Sequence, residues 1–425
     1  VARGVFIAPA KEENPDITMI VKFPQWYDRF HLFGYPLARH AAEFDRVWVG
    51  TETRGARTQR FGFVQPYEAF VNYRWIASVA PEKTECAWFD HGDCDAVDFV
   101  DQAYQSVLAG ARILSIFNYS NVKRGRPGDA LLAQEYEHLA DLAGAVRRDP
   151  VWGVAAYKPV GSDAGSDLYL MDFVGMLGVP LVPTADFPSK AKAIFLPTQA
   201  AADSDILGKM QAYLAGGGQV LVTAGFLSRV PDAAEAAGLE PVDLECITAR
   251  GVSLNGQPVP VKYGLDLAAP LKVKQAEVML EAVCDEGVVP FLTRYRRDGG
   301  EICVLNSHTF SQEDFDAVGE VLLAPRPLGL LELPEPAANR LRSAFCEPLH
   351  LAMQAPTRVT LQPLGEQGFF IHNYNEEPAT VSLKPLLTEG NAAYREHFTG
   401  KRLPLVDGRL QCTLGARERW WIERE

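Results

Sequence analysis

The sequence has no extended Lys/Arg run, no CxxC pair and no apolar stretch of 18 residues. Each absence excludes a class of function. Lys plus Arg number 41 against 54 Asp plus Glu, a formal net charge of −13. Such a chain offers no basic footprint to nucleic acid or to an anionic membrane surface. Without a long apolar stretch, nothing in it reads as a membrane-spanning helix. The seven cysteines (86, 94, 246, 284, 303, 346 and 412) are scattered and odd in number. None pairs with His at zinc-finger spacing, so free buried thiols in a cytoplasmic protein are the expectation. No glycine-flanked Ser or Cys forms a nucleophile elbow after AIFLP (193–197). The glycines at 216–218 read as a turn, because they open no helix after a strand as a dinucleotide fingerprint does. No cofactor and no structural zinc site is implied.

What is present is a full globular complement: 425 residues, 47% hydrophobic and 10% aromatic. That composition excludes disorder and suits two to four domains with real cores. The first residue is Val1 rather than Met, and no signal-peptide pattern precedes the folded sequence. The chain is therefore expected to start inside something larger.

Three blocks differ in grammar. In the first, strand-like runs (Ile17–Phe23, Arg46–Gly50, Cys86–Phe89, Arg112–Tyr119) alternate with helix-like ones (Pro36–Glu43, Tyr67–Ser78, Asp98–Gly110). Strands separated by helices predict parallel β/α units. The second block predicts a helix over Asp163–Leu177, strands at Pro180–Pro183, Ala193–Pro197 and Gln219–Thr223, and a helix over Ser204–Ala215. This is a flavodoxin-like open α/β pattern, with a hairpin excursion near 245–290 and a returning strand at Glu301–Asn306. After the helix-like Pro336–Ala344, short alternating runs separated by turn residues predict a small antiparallel β-sandwich.

The strands of the first block end in polar and aromatic clusters, where the chemistry of a β/α barrel sits. GTETRG (50–55) puts Glu52 and Arg54 past a strand, as acid, base, nucleophile or hydroxyl clamp, or simply as a loop salt bridge. WFDHGDCD (88–95) puts Asp90 and His91 at a strand end beside Trp88. A carboxyl held against those rings has its pKa raised, as a general acid requires. Asp93, Asp95 and Asp98 read better as caps of the following helix. A divalent cation at this carboxylate-plus-His cluster is a third option. KFPQWYDRFH (22–31) offers Lys22, Gln25, Trp26, Tyr27, Asp28 and His31; aromatic faces with polar neighbours suit sugar rings, although Trp26 and Tyr27 also suit core packing. FNYSN (117–121) gives Asn118 and Tyr119 the same rim position. Asn306, Ser307 and His308 make only a weak triad signal.

With GTETRG, the WFD strand end and QAYQSVLAGARILSIFNYS, the sequence resembles clan A glycoside hydrolases, closest to the family 42 β-galactosidases. YKPVGSDAGSDLYLMDFVGMLGVPLVPT, GFFIHNYNEEPATVSL and HFTGKRL extend the resemblance over most of the chain. It implies an α/β chain: residues 1–157 as the second half of a (β/α)8 barrel, 158–335 as an amidotransferase-like, non-catalytic trimerisation-type domain, and 350–425 as the β-sandwich. It also implies a retaining glycosidase of a neutral sugar or oligosaccharide, in a homo-oligomer, with no nucleic-acid or membrane partner. Such enzymes place an acid/base carboxylate on strand four and a nucleophile on strand seven, about 5–5.5 Å apart. Counting back from Arg112–Tyr119 as strand eight, Asp90 takes the nucleophile station, where the family uses Glu. Glu52 ends strand six, and strands one to four are not in this sequence. Arg54, Trp26, Tyr27, Lys22, Trp88, His91, Asn118 and Tyr119 are the implied sugar contacts. A carbohydrate-binding or assembly protein without the carboxylate pair is the alternative.

Overall fold

A computed structural model describes residues 2–55, 65–92, 94–117, 125–297, 299–318, 325–365, 368–385 and 393–425. Asn118 and Tyr119 lie outside these residues, as does Asp93.

The first block folds around a four-stranded parallel sheet, β1 (Ile20–Phe23), β2 (Arg46–Gly50), β3 (Thr84–Phe89) and β4 (Ile113–Ile116), in that spatial order. Residues facing one way are fully buried: Phe23, Val47, Val49, Ala87 and Phe89. The helices Tyr67–Val79 and Ala96–Leu108 bring Phe70, Trp75, Phe99 and Tyr104 into the same core. Asp95 caps the second of these helices, accepting from the Asp98 amide at 2.8 Å, which bears out its reading as a cap. On the opposite face Cys86 is buried, while Lys22, Trp48, Trp88 and Ser115 are at least partly exposed. Ile113 is 44% and Phe117 52% exposed on this side of the block. Neither β1 nor β4 has a second strand partner among the described residues.

The second sheet has nine strands: β5 (Val154–Tyr157), β6 (Leu181–Thr184), β7 (Ala193–Leu196), β8 (Gln219–Thr223), β9 (Ile247–Leu254), β10 (Gln257–Leu267), β11 (Glu277–Cys284), β12 (Gly287–Arg297) and β13 (Gly300–Leu305). Its order is β10-β9-β11-β12-β13-β8-β7-β5-β6. The parallel part, β6-β5-β7-β8-β13, has the flavodoxin-like order 2-1-3-4-5. The antiparallel remainder is the expected excursion. β9 and β10 join through Asn255-Gly256, both left-handed (φ 53° and 75°), as a tight hairpin demands.

The helix expected over Asp163–Leu177 covers only Leu170–Met176. The preceding residues turn instead, and their side chains explain why. Asp163 accepts from the Gly165 amide at 2.9 Å. Asp167 accepts from the Thr198 amide and from the hydroxyls of Thr198 and Thr223. Tyr169, at φ 60°, cannot continue a right-handed helix.

The C-terminal region is β-rich: two antiparallel sheets of four and five strands, starting at Ala352 and ending at Arg424. It is tied to the first block through Arg417, which donates to Asp98 at 2.6 Å and Asp101 at 2.9 Å. No described helix is long and apolar enough to cross a membrane.

Candidate active site

The carboxyl ends of β1, β2 and β3 converge because the strands are parallel and in register, with Lys22 beside Trp48 and Gly50 beside Trp88. Past these pairs the chain leaves the sheet carrying Glu52, Arg54 and Asp90. The Asn72 amide of the helix behind donates to the carbonyls of Pro24 (3.0 Å) and Gly50 (2.8 Å), tying the ends of β1 and β2 together. Gln102 does the same for the next pair. Its Nε2 donates to the Asp90 carbonyl at 3.2 Å, and its Oε1 accepts from the Arg54 amide at 3.3 Å.

Arg54 lies at the centre. Its guanidinium forks onto Asp90, and its Nη2 reaches Glu52 Oε1 at 3.5 Å. Its backbone is left-handed (φ 53°), an uncommon conformation for a residue with a side chain. Asp90 also accepts from the Gly92 amide at 2.7 Å. Gly92 leaves no spare room here: a Cβ would lie 2.9 Å from both Arg54 Nε and Asp90 Oδ1, so that pair would have to shift.

These surroundings push the two carboxyls apart. Burial drives Glu52 up to about 8; Arg54 opposes that shift, and the Asp90 charge adds to it. Asp90 is also buried, which by itself raises its pKa. The hydrogen bonds and charge of Arg54, with the Gly92 amide, nevertheless hold it below the usual carboxylate range. At neutral pH the site therefore has one protonated and one ionised carboxyl on a single guanidinium.

Lys22 places its ammonium over two indole rings, 5.2 Å from the centre of Trp48 and 5.5 Å from that of Trp88. Gln25 donates to the Glu52 carbonyl at 3.4 Å. No group of three or more His, Cys, Asp or Glu suited to a metal occurs among the described residues.

Residues 1–135 match a family model described as a probable glycosyl hydrolase catalytic domain. Residues 151–309 match the second domain of the uncharacterized protein SSO3021. SSO3021 of Saccharolobus solfataricus is 23% identical over 198 residues, 42% of this chain and 31% of the relative. The structure aligns with a catalytic mutant of Gan42B, a GH42 β-galactosidase from G. stearothermophilus, at a TM-score of 0.61 and 13% identity, over 99% of this chain and 65% of that one. The fold resembles that of the GH42 β-galactosidases. The Halorubrum lacusprofundi β-galactosidase gives 0.58 and 15% identity, over 97% of this chain and 64% of that one. The GH42-like chain thus spans less than two thirds of the length of these relatives.

Of the residues singled out in the sequence, Glu52, Arg54 and Asp90 come together, with Lys22 on Trp88 beside them. Two others are drawn away. Tyr27 is buried, and its hydroxyl donates to Asp172 at 2.9 Å. His91 stacks on Phe99 at 3.9 Å and pairs with Asp129 at 2.5 Å, so it faces the helices behind the sheet. Both placements have one cause: a buried polar group turns to the partner that can satisfy it. Trp26 packs edge-on against Phe33 at 5.6 Å and Tyr35 at 6.3 Å. Trp48, Gly92 and Gln102 escaped the sequence reading. The signal for Trp48 was there, since alternation in RVWVG sets it opposite Val47 and Val49.

Proposed function

We propose that this chain carries the strand-end site of a glycoside hydrolase that cleaves a neutral glycosidic bond. Glu52 is the general acid and Asp90 the ionised partner. One observation carries the reading: Glu52 and Asp90 share the Arg54 guanidinium at the strand ends, where burial pushes Glu52 up and Arg54 holds Asp90 down. In the retaining form, Glu52 gives its proton to the departing glycosidic oxygen while Asp90 attacks the anomeric carbon. The glycosyl–Asp90 ester is then hydrolysed by a water whose proton returns to Glu52, freeing Asp90. Arg54 sets both carboxyls. Trp88, Trp48 and Lys22 offer the sugar two apolar faces and a donor.

In this reading residues 1–157 are the second half of a (β/α)8 barrel. Its support is the sheet itself: parallel sheets are ordinarily covered on both faces, and here, among the described residues, one face is partly exposed and neither edge strand has a second partner. Residues 158–335 are then the amidotransferase-like unit and 350–425 the sandwich. One observation favours a binding protein instead: both Asp90 oxygens are already engaged by Arg54 and the Gly92 amide.

The test is release of nitrophenol from a panel of aryl glycosides by the full-length protein. Glu52→Gln and Asp90→Asn are each expected to lower turnover by about 10²–10⁴-fold. No turnover across the panel, with sugar binding intact, selects the binding protein.

A further inference from the structure

In open α/β sheets with the flavodoxin-like strand order, ligands bind where the order reverses, beyond the carboxyl ends of the two strands flanking that point. Here those strands are β5 and β7, followed by Lys158 and by Thr198-Gln199. The crevice is filled by the protein's own Asp28, a residue of the loop that follows β1. Asp28 is fully buried. Its Oδ1 lies 3.1 Å from Lys158 Nζ and accepts from Gln199 Nε2 at 3.0 Å. Its Oδ2 accepts from the Tyr169 amide at 2.7 Å. Lys158, only 1% exposed, also donates to Ser162 at 3.1 Å and lies over the Trp75 ring at 4.7 Å. The Trp75 indole donates to the Lys158 carbonyl at 2.8 Å.

A buried ion pair with this many hydrogen bonds fixes geometry more than it adds stability. What it fixes is the segment Pro24–Phe30. Three residues before Asp28, Gln25 donates to the Glu52 carbonyl. The neighbouring Tyr27 is anchored on Asp172, and the Arg29 guanidinium lies 4.4 Å from the Phe315 ring. The holds on Tyr27, Asp28 and Arg29 lie two to four residues along the loop from Gln25, which touches the backbone of the candidate acid.

We propose that Asp28, Lys158 and Gln199 are positioning residues: the second block's switch-point crevice is a socket that sets the β1 loop and, through Gln25, the Glu52 segment. The inference rests on the glycosidase reading for its purpose, but its test does not depend on activity.

The experiment uses the full chain and the double variant Asp28→Asn/Lys158→Met, which removes both charges and leaves no ion buried alone. Two quantities are read: the titration of the Glu52 carboxyl by carbon-13 NMR, and amide hydrogen exchange over Thr51–Arg54. The expected result is a fall of about one pH unit in the Glu52 midpoint, because a loosened loop lets water reach it. Exchange at residues 51–54 is expected to rise about tenfold. A purely structural socket would raise exchange near residues 28 and 158 alone; a folded variant with residue 52 unchanged on both counts overturns the proposal. Should the double variant not fold, Gln199→Leu keeps the ion pair and is read in the same way. A wild-type chain inactive on every glycoside, but with Glu52 moving in the variant, removes the glycosidase reading and leaves the socket standing.

Discussion

Arg54 holds both oxygens of Asp90 in a fork, with Nε 3.0 Å from Oδ1 and Nη2 3.0 Å from Oδ2. Lysine cannot reproduce this geometry, because an ammonium is a point donor and not a planar pair. Arg54→Lys is therefore expected to let the Asp90 pKa rise and to move the acid limb of the pH–rate profile upward. Turnover should fall about 10- to 100-fold, the weight of a lost charged hydrogen bond. An unchanged acid limb would show that Asp90 does not depend on the fork.

Glu52 also makes stability depend on pH. Its folded pKa, about 8, lies above its ordinary value of 4.5. Between these two values the unfolded chain has released a proton that the folded chain keeps, so this group's contribution is complete below about 4.5 and declines as pH rises through about 8. Glu52→Gln cannot ionise and removes the decline. Thermal melts from pH 5 to 9 should converge for the two proteins at acid pH, with the variant the more stable above pH 8. Parallel curves would contradict burial as the cause.

Gly92→Ala tests the crowding around the same pair. The added methyl would push on Arg54 Nε and Asp90 Oδ1 together. A loss of about 1–3 kcal/mol in urea unfolding is expected, with a loss of turnover comparable to that of Arg54→Lys. A variant as stable and active as wild type would mean that the fork yields freely.

Gln102→Leu removes the side chain that joins the backbones of Asp90 and Arg54. It leaves the buried Asp90 carbonyl and the partly buried Arg54 amide without that partner, at a cost of about 1–3 kcal/mol for the carbonyl. The expected outcome is lower stability with a reduced turnover number and little change in KM, since the side chain acts through the carboxyls. A change in KM alone would assign Gln102 to substrate binding instead.

Much of this architecture was legible beforehand. Arg46–Gly50 and Gln219–Thr223 have in the structure the ends expected from the sequence, because each is a short apolar run closed by turn residues. The helix at Asp163–Leu177 was misjudged for a tertiary reason: Asp167 finds three donors on Thr198 and Thr223, and those outweigh local helical preference. Gln102 was invisible as a site residue because it sits in mid-helix, with nothing in its neighbours to mark the two backbones it joins. Asp28 was seen only as one polar residue among several in KFPQWYD.

By itself the sequence determined the alternation of strands and helices, the polar strand ends, and that Glu52, Arg54 and Asp90 sit past strands. These follow from local periodicity, which is written along the chain. Only the tertiary structure decided that Arg54 meets Asp90 across neighbouring strands, that Tyr27 and His91 turn away, and that Asp28 finds Lys158 130 residues later. Such pairings are set by strand register and by the need of each buried charge for a partner, and neither leaves a local trace.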